Sequence, residues 1–119
     1  MNERTLDYLT KIQQLCLDIL TFIDGLDKEE FLDDTRTQNA VAMSLITMGK
    51  IVTVMGHKDP DFIAKHTHIP WRYIKGMRNV IAHGYFELDF EIVWETAQHS
   101  IPELLGEIEN LIEKLFKEP

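Results

Sequence analysis

Apolar residues recur every three or four positions along almost the whole chain, the spacing of one face of an α-helix. The first stripe is Leu6, Leu9, Ile12, Cys16, Ile19, Ile23 and Leu26. It predicts an amphipathic helix of about twenty residues, ended by Gly25 and Asp27. Asp27 with Glu30 forms a capping-box pair for a short helix over "KEEFLDD". Thr35 with Gln38 repeats that signal. It opens a long helix with Val41, Leu45, Met48, Ile51, Val52 and Met55 inward, and Met43 also assigned to the core. Gly56 is its expected stop. Asp59 as cap and Pro60 at the first helical position predict another short helix. Pro70 opens a helix expected to run to residue 83, where Gly84 ends it. Asp89 is a candidate cap for "FEIVWETAQ". Ser100 with Glu103 caps a last helix, with Pro102 tolerable in its first turn. That helix carries the clearest stripe: Ile101, Leu104, Leu105, Ile108, Leu111, Ile112, Leu115 and Phe116. Gly49 and Gly76, inside predicted helices, mark close helix approach. No segment reads as a strand, a linker or a repeat. The expectation is an all-α fold: one domain over residues 1–119, an antiparallel bundle of four to five main helices with short connecting helices.

A chain of 119 residues can bury one core without staples. Its one cysteine, Cys16, excludes an internal disulfide and a cysteine-only zinc site, and reads as a small buried hydrophobe. The opening "MNERTLDYLTK" lacks the apolar segment of a signal peptide. No apolar run is expected to approach the roughly 18 residues of a membrane span. These observations predict a soluble, cytoplasmic protein with no membrane partner. The net charge of −8 argues against phosphate-rich partners taken alone. The distribution changes that. Residues 62–86 contain no Asp or Glu and hold Lys65, Arg72, Lys75 and Arg78 with His66, His68 and His83. An acidic protein with such a window can present a local anion site.

Inside that window lies "RNVIAHGY", residues 78–85. Wound at about 100° per residue, Arg78, Lys75, Asn79, Arg72 and His83 share an arc of roughly 140°. Tyr73, Ile74, Met77, Val80 and Ile81 take the opposite arc. On an ideal helix Arg78 and His83 stand about 7.5 Å apart along the axis, a gap an arginine can close around one phosphate. His83 falls in the predicted last turn, where the dipole favours its protonated form. Gly84 is expected to turn left-handed and to leave Tyr85 beside the site. The plainer reading makes His83 a capping or surface residue and Tyr85 an edge of the core. His66 and His68 could form a metal pair, but no third ligand is evident, so a loop is the stronger reading. Trp71 and Trp94 read as core aromatics.

"RNVIAHGY", with "IPWRYIKGM" before it and "FELDFEIVW" after it, resembles the HepT-like toxins of the HEPN superfamily. The likeness is strong from about Ile69 to Leu111, and the order of helices extends it over nearly the whole chain. It implies a HEPN-type bundle and a metal-independent endoribonuclease needing no cofactor. RNA cleavage by its own 2′-hydroxyl needs a base, an acid and positive charge on the phosphate. Histidine can be acid or base near neutral pH, and arginine can clamp a phosphate. One chain offers one such histidine, so a homodimer that joins two copies of the face would complete the site. Arg78 and His83 are then the catalytic pair. Asn79, Arg72 and Lys75 position the RNA substrate. The resemblance further implies a partner, a MntA-like minimal nucleotidyltransferase antitoxin that transfers AMP to the motif tyrosine, here Tyr85. One position departs from the family pattern. Many relatives carry an acidic residue after the glycine of the long helix, in a "GEA"-like string; here the string is "GKI", with Lys50. Any contact such an acid makes with the catalytic histidine or arginine is absent. The alternative is therefore a catalytically silent HEPN module that docks to a nucleotidyltransferase or binds a nucleotide.

Overall fold

Three helical rods carry the architecture. The structure, a computed structural model, describes residues 3–83 and 87–117. The rods are α1 (Glu3–Ile23), α3 (Thr35–Lys58) and the run from α7 (Phe90–Glu95) through a π-turn at 96–100 into α8 (Ile101–Lys117). Four short helices connect them: α2 (Lys28–Leu32), α4 (Pro60–Lys65), α5 (Trp71–Lys75) and α6 (Met77–Ile81). The fold is an all-α bundle, as expected, in which α1 packs on both α3 and α8 while α5 and α6 pack on α3. The thinnest dimension, 19 Å, leaves room for two layers of helices.

The predicted stripes are the buried faces. Leu9, Ile12, Cys16, Ile19 and Ile23 of α1 meet Val41, Leu45, Met48, Val52 and Met55 of α3 in one core with Ile101, Leu104, Ile108 and Leu111 of α8. Burial pushes the Cys16 thiol up to about 12, with the Glu109 carboxylate adding to the effect, so it stays protonated and inert. Two apolar residues do not follow the expectation. Phe116, at the end of the α8 stripe, is 72% exposed, and Met43 is 65% exposed on the outer side of α3. Met43 lies five residues before Met48, about 140° round the helix, so the two cannot share a face. By length and mean hydropathy α3 would pass for a membrane span. Of that stretch 44% is buried, in the bundle where α3 packs against α1, α5 and α6.

The helix ends follow local hydrogen bonding. Asp27 and Glu30 form the predicted capping box, and Gly25 takes φ +80° just past α1. The cap of α3 is Asp34 rather than Thr35. Its carboxylate accepts the Thr37 hydroxyl and backbone N–H, which hold it below the usual carboxylate range. Gln38 is then free to donate back to the Phe31 and Leu32 carbonyls, stitching α2 to α3. The long helix continues past Gly56 to Lys58. Asp89 caps α7 as predicted. Ser100 is no cap, because the helix runs through it. Pro102 cannot donate to the carbonyl four residues back and its ring crowds that carbonyl. The wider π-turn just before it relieves the clash, with Ile101 N–H donating to the Thr96 carbonyl.

Gly49 is where α3 and α5 touch. A Cβ there would lie 2.8 Å from the Ile74 carbonyl oxygen and 3.4 Å from that of Lys75. Gly76 plays a different part. The nearest atoms to a Cβ there belong to α5 itself, and Gly76 caps that helix, with its N–H donating to the Arg72 carbonyl. Gly49→Ala is therefore expected to destabilise by about 1–3 kcal/mol, an overpacking cost, seen as a fall of roughly 5–15 °C in the thermal midpoint. Gly106, with nothing within 4 Å of its would-be Cβ, is the control. Gly106→Ala should stabilise by about 0.5–1 kcal/mol. Equal midpoints for the two variants would show that α3 and α5 are not held backbone to backbone.

Candidate functional site

The predicted single helix over residues 70–83 is two helices and a strand. Gly76 interrupts it between α5 and α6, and Asn79 N–H bonds the Gly76 carbonyl to begin the next turn. Helix α6 ends at Ile81. Ala82–His83 (β1) then pairs antiparallel with Glu87–Leu88 (β2), Ala82 opposite Leu88 and His83 opposite Glu87. The Asp89 N–H donates to the Ile81 carbonyl and closes the base of this hairpin. No sequence signal marks a strand here, since a pair of two-residue strands carries no periodicity. His83 therefore leaves the helix before the motif ends. The axial spacing from Arg78 and the helix-dipole effect, both argued for a helix reaching residue 83, do not apply. The description of His83 stops at its backbone. Gly84 and Tyr85, with the left-handed turn and the modification site expected there, lie outside the described residues.

The two-faced reading of α5 and α6 holds for Ile74, Met77 and Ile81 and for the four polar residues. Ile74, Met77 and Ile81 are buried, while Arg72, Lys75, Arg78 and Asn79 are exposed. Among the described residues none of these four side chains has a hydrogen-bond or ion-pair partner. An arginine with no carboxylate on it keeps its fork of donors for an incoming anion. Tyr73 differs from the expectation: it is 42% exposed, with its hydroxyl 3.5 Å from that of Thr96. It stands in the seam between α5 and the π-turn, where hollows are rimmed by Asp89, Glu91 and Glu95 on one side and by Glu103 and Glu107 on the other. Those carboxylates make the seam a poor seat for phosphate. Arg72, Lys75, Arg78 and Asn79, by contrast, face open solvent among the described residues.

The two tryptophans settle into the core. Trp71 donates its indole N–H to the His66 carbonyl at 2.8 Å and packs near Phe62. Trp94 lies 5.2 Å from Phe31, ring to ring. His66, half-buried, holds its ring 4.3 Å from that of Phe62 at a tilt of 44°, and the exposed His68 stands edge-on to it at 5.9 Å. Among the described residues no group of three His, Cys, Asp or Glu side chains is placed to hold a metal ion.

The fold also shows a feature the sequence reading missed. Helix α3, from Thr35 to Lys58, contains no Asp or Glu either. Residues 35–83 hold seven of the twelve Lys and Arg residues but only two of the twenty acids, Asp59 and Asp61. Because α5 and α6 seat on α3, the two acid-poor segments are neighbours in space. Lys50 follows Gly49 on α3, one position from the contact with α5, and is exposed. A count of acids over 35–58 would have found this.

A family model described as "Ribonuclease HepT-like" matches residues 6–111, and the chain belongs to this HepT-like ribonuclease family. A protein of Thermococcus cleftensis named "Probable ribonuclease HepT" is 35% identical over 105 residues, 88% of this chain and 93% of that protein. A "Putative RNase" of Caldanaerobacter subterraneus is 33% identical over 107 residues, covering 90% of this chain and 93% of its own. Another "Putative RNase", from Methanocaldococcus jannaschii, is 37% identical over 98 residues, 82% of each chain. No solved structure is a significant match to the chain.

Proposed function

We propose that this protein is a metal-independent endoribonuclease, the toxin of a toxin–antitoxin pair, that cleaves RNA in a cleft shared by two copies of the chain. The observation that carries this reading is Arg78, exposed and unpaired among the described residues, on an acid-free face five residues before His83. Arg78 clamps the scissile phosphate and offsets the charge that builds on its oxygens. One His83 takes the proton from the 2′-hydroxyl, whose oxygen attacks phosphorus. The bond to the departing oxygen breaks, and the second chain's histidine gives that oxygen a proton. The products are a cyclic phosphate and a free hydroxyl, with no water, metal or redox partner consumed. Asn79, Arg72 and Lys75 hold the strand in place. Lys50, standing where many relatives carry an acid, favours one second reading: a silent module of the same fold that docks to a nucleotidyltransferase or binds a nucleotide.

Light scattering at micromolar concentration is expected to give about twice the chain mass, because each chain supplies one histidine for two proton transfers. A monomer that cleaves RNA at full rate would rule out the shared cleft.

Arg78→Ala and His83→Ala should each lower cleavage by at least about a hundredfold. Arg78→Ala should leave stability within about 0.5 kcal/mol, as an exposed change does. Chelators should change nothing. Activity lost in EDTA and restored by magnesium or zinc would refute the mechanism. Overexpression separates the two readings: a ribonuclease arrests growth unless Arg78 or His83 is changed, and a silent module is tolerated.

Control is proposed to act through Tyr85. An AMP on its hydroxyl would bring a phosphate and an adenosine to the face that must take the RNA phosphate, filling it and neutralising its charge. Co-expression with the cognate MntA-like nucleotidyltransferase should add the mass of one or more adenylyl groups to Tyr85. Tyr85→Phe should keep cleaving RNA while escaping control. An adduct found on Tyr8 or Tyr73 instead would reassign the modification.

A further inference from the structure

The outer side of α3 is the largest feature that the reading above leaves unused. Taking Gly49 as the direction of α5, at about 100° per residue, Arg36, Asn39, Met43, Thr47, Lys50, Val54 and His57 fall in one stripe about 80–160° away. All of them are exposed except Val54, which is half-buried. The stripe contains no acid and flanks the side of α3 on which α5 and α6 sit. Lys50 has no partner among the described residues. Arg36 stands near enough to Asp34 to help lower that carboxyl, and no ion pair ties it down among the described residues.

We propose that this stripe, with Lys50 beside the Arg78 face and Arg36 at its far end, is a binding track for the single-stranded RNA that leads away from the cleavage site. The inference rests on the ribonuclease reading and adds the place where the rest of the substrate lies. Fourteen residues of helix separate Lys50 from Arg36, about 21 Å. That is far longer than one phosphate needs and suits a run of backbone. The two cations meet phosphates as point or forked charges. Between them Met43 offers a polarizable thioether, the kind of side chain that packs on flat aromatic faces such as bases. Asn39 adds a polar contact, while the Thr47 hydroxyl is already committed to the Met43 carbonyl at 2.8 Å. A second copy of the chain suits the stripe less well. Two-fold packing of it on itself would set like charges face to face around one large exposed apolar side chain, too little apolar area for a stable dimer.

The test uses the full-length protein and two single-stranded RNAs, one of about four nucleotides and one of about sixteen, the span of known single-strand sites. Lys50→Gln and Arg36→Gln remove exposed charges on the stripe, without placing at position 50 the acid that many relatives carry. Lys114→Gln, exposed on α8, is the control. For the longer RNA, each stripe variant should raise KM at least about fivefold and lower the salt slope of binding by about 0.7 per lost phosphate contact. The short RNA and kcat should be unaffected, and Lys114→Gln should match the unaltered protein. Equal effects on both RNAs, or none on either, would overturn the track while leaving the ribonuclease reading standing. A shift of the Lys50→Gln variant from dimer to monomer would assign the stripe to the subunit contact instead. If the unaltered protein neither binds nor cuts either RNA, the ribonuclease reading fails and the track falls with it.

Discussion

The backbone of α3 touches the backbone of α5 at Gly49, and the functional face depends on that contact. No side chain separates the two helices there, since a single Cβ would press on the Ile74 carbonyl. With α5 drawn in this close, Ile74, Met77 and Ile81 reach the core, and the residues between them are turned outward. Those outward residues are Arg72, Lys75, Arg78 and Asn79. The same apolar packing that seats the segment thus presents its cations. It also sets them beside the exposed side of α3, so two stretches far apart in sequence become one acid-poor surface.

Under the proposed reading, that surface is what lets a chain of net charge −8 take an RNA substrate. Eighteen of the twenty acids lie outside residues 35–83, most of them on α1, α2, α7, α8 and the connections between α1 and α3, while Glu87 stands opposite His83 in the hairpin. At physiological salt, exposed charges more than about 8 Å apart are largely screened from one another. The molecule measures 48 × 30 × 19 Å, so acids across it hardly weaken a phosphate bound at Arg78. Local charge decides binding, and among the described residues of α5, α6 and the outer side of α3 it is positive. The remote acids act chiefly on solubility.

What the sequence made legible is what burial enforces. The stripes of α1, α3 and α8 could be read because each must bury one face, and the capping pair Asp27–Glu30 because its hydrogen bonds are local. Three things were less legible. At "DDTRTQ" two adjacent residues can both cap, and Asp34 wins because its carboxylate takes both donors of Thr37. At Ser100 a capping-box pattern sits inside a continuous helix; Pro102 was the clue, since an interior proline needs the backbone to widen before it. At residues 76–83 the apolar period persists across a break that only hydrogen bonding reveals. The catalytic expectation shared that weakness, because it borrowed helix geometry for His83. The positions upstream in the motif, on α5 and α6, stand where the pattern put them. The contribution of α3 was hidden for another reason: contiguity in space is not visible in a window slid along one segment.

An open face has consequences that a pocket lacks. A pocket surrounds its substrate and supplies acid, base and charge from one chain. On this face the described cations point to solvent, and water competes for every hydrogen bond they make. Charge stabilisation is strong only where water is excluded. A surface laid over the face would exclude it, and under the proposed reading a second copy is that surface, bringing with it the second histidine the mechanism needs. The same openness makes control cheap in structural terms. Nothing needs to unfold or swing aside; a group attached at the edge of the face can occupy it. Under the proposed reading, dimerisation and modification are two answers to one geometric fact, that α5 and α6 hold their cations outward on a wall and leave the other wall to be supplied.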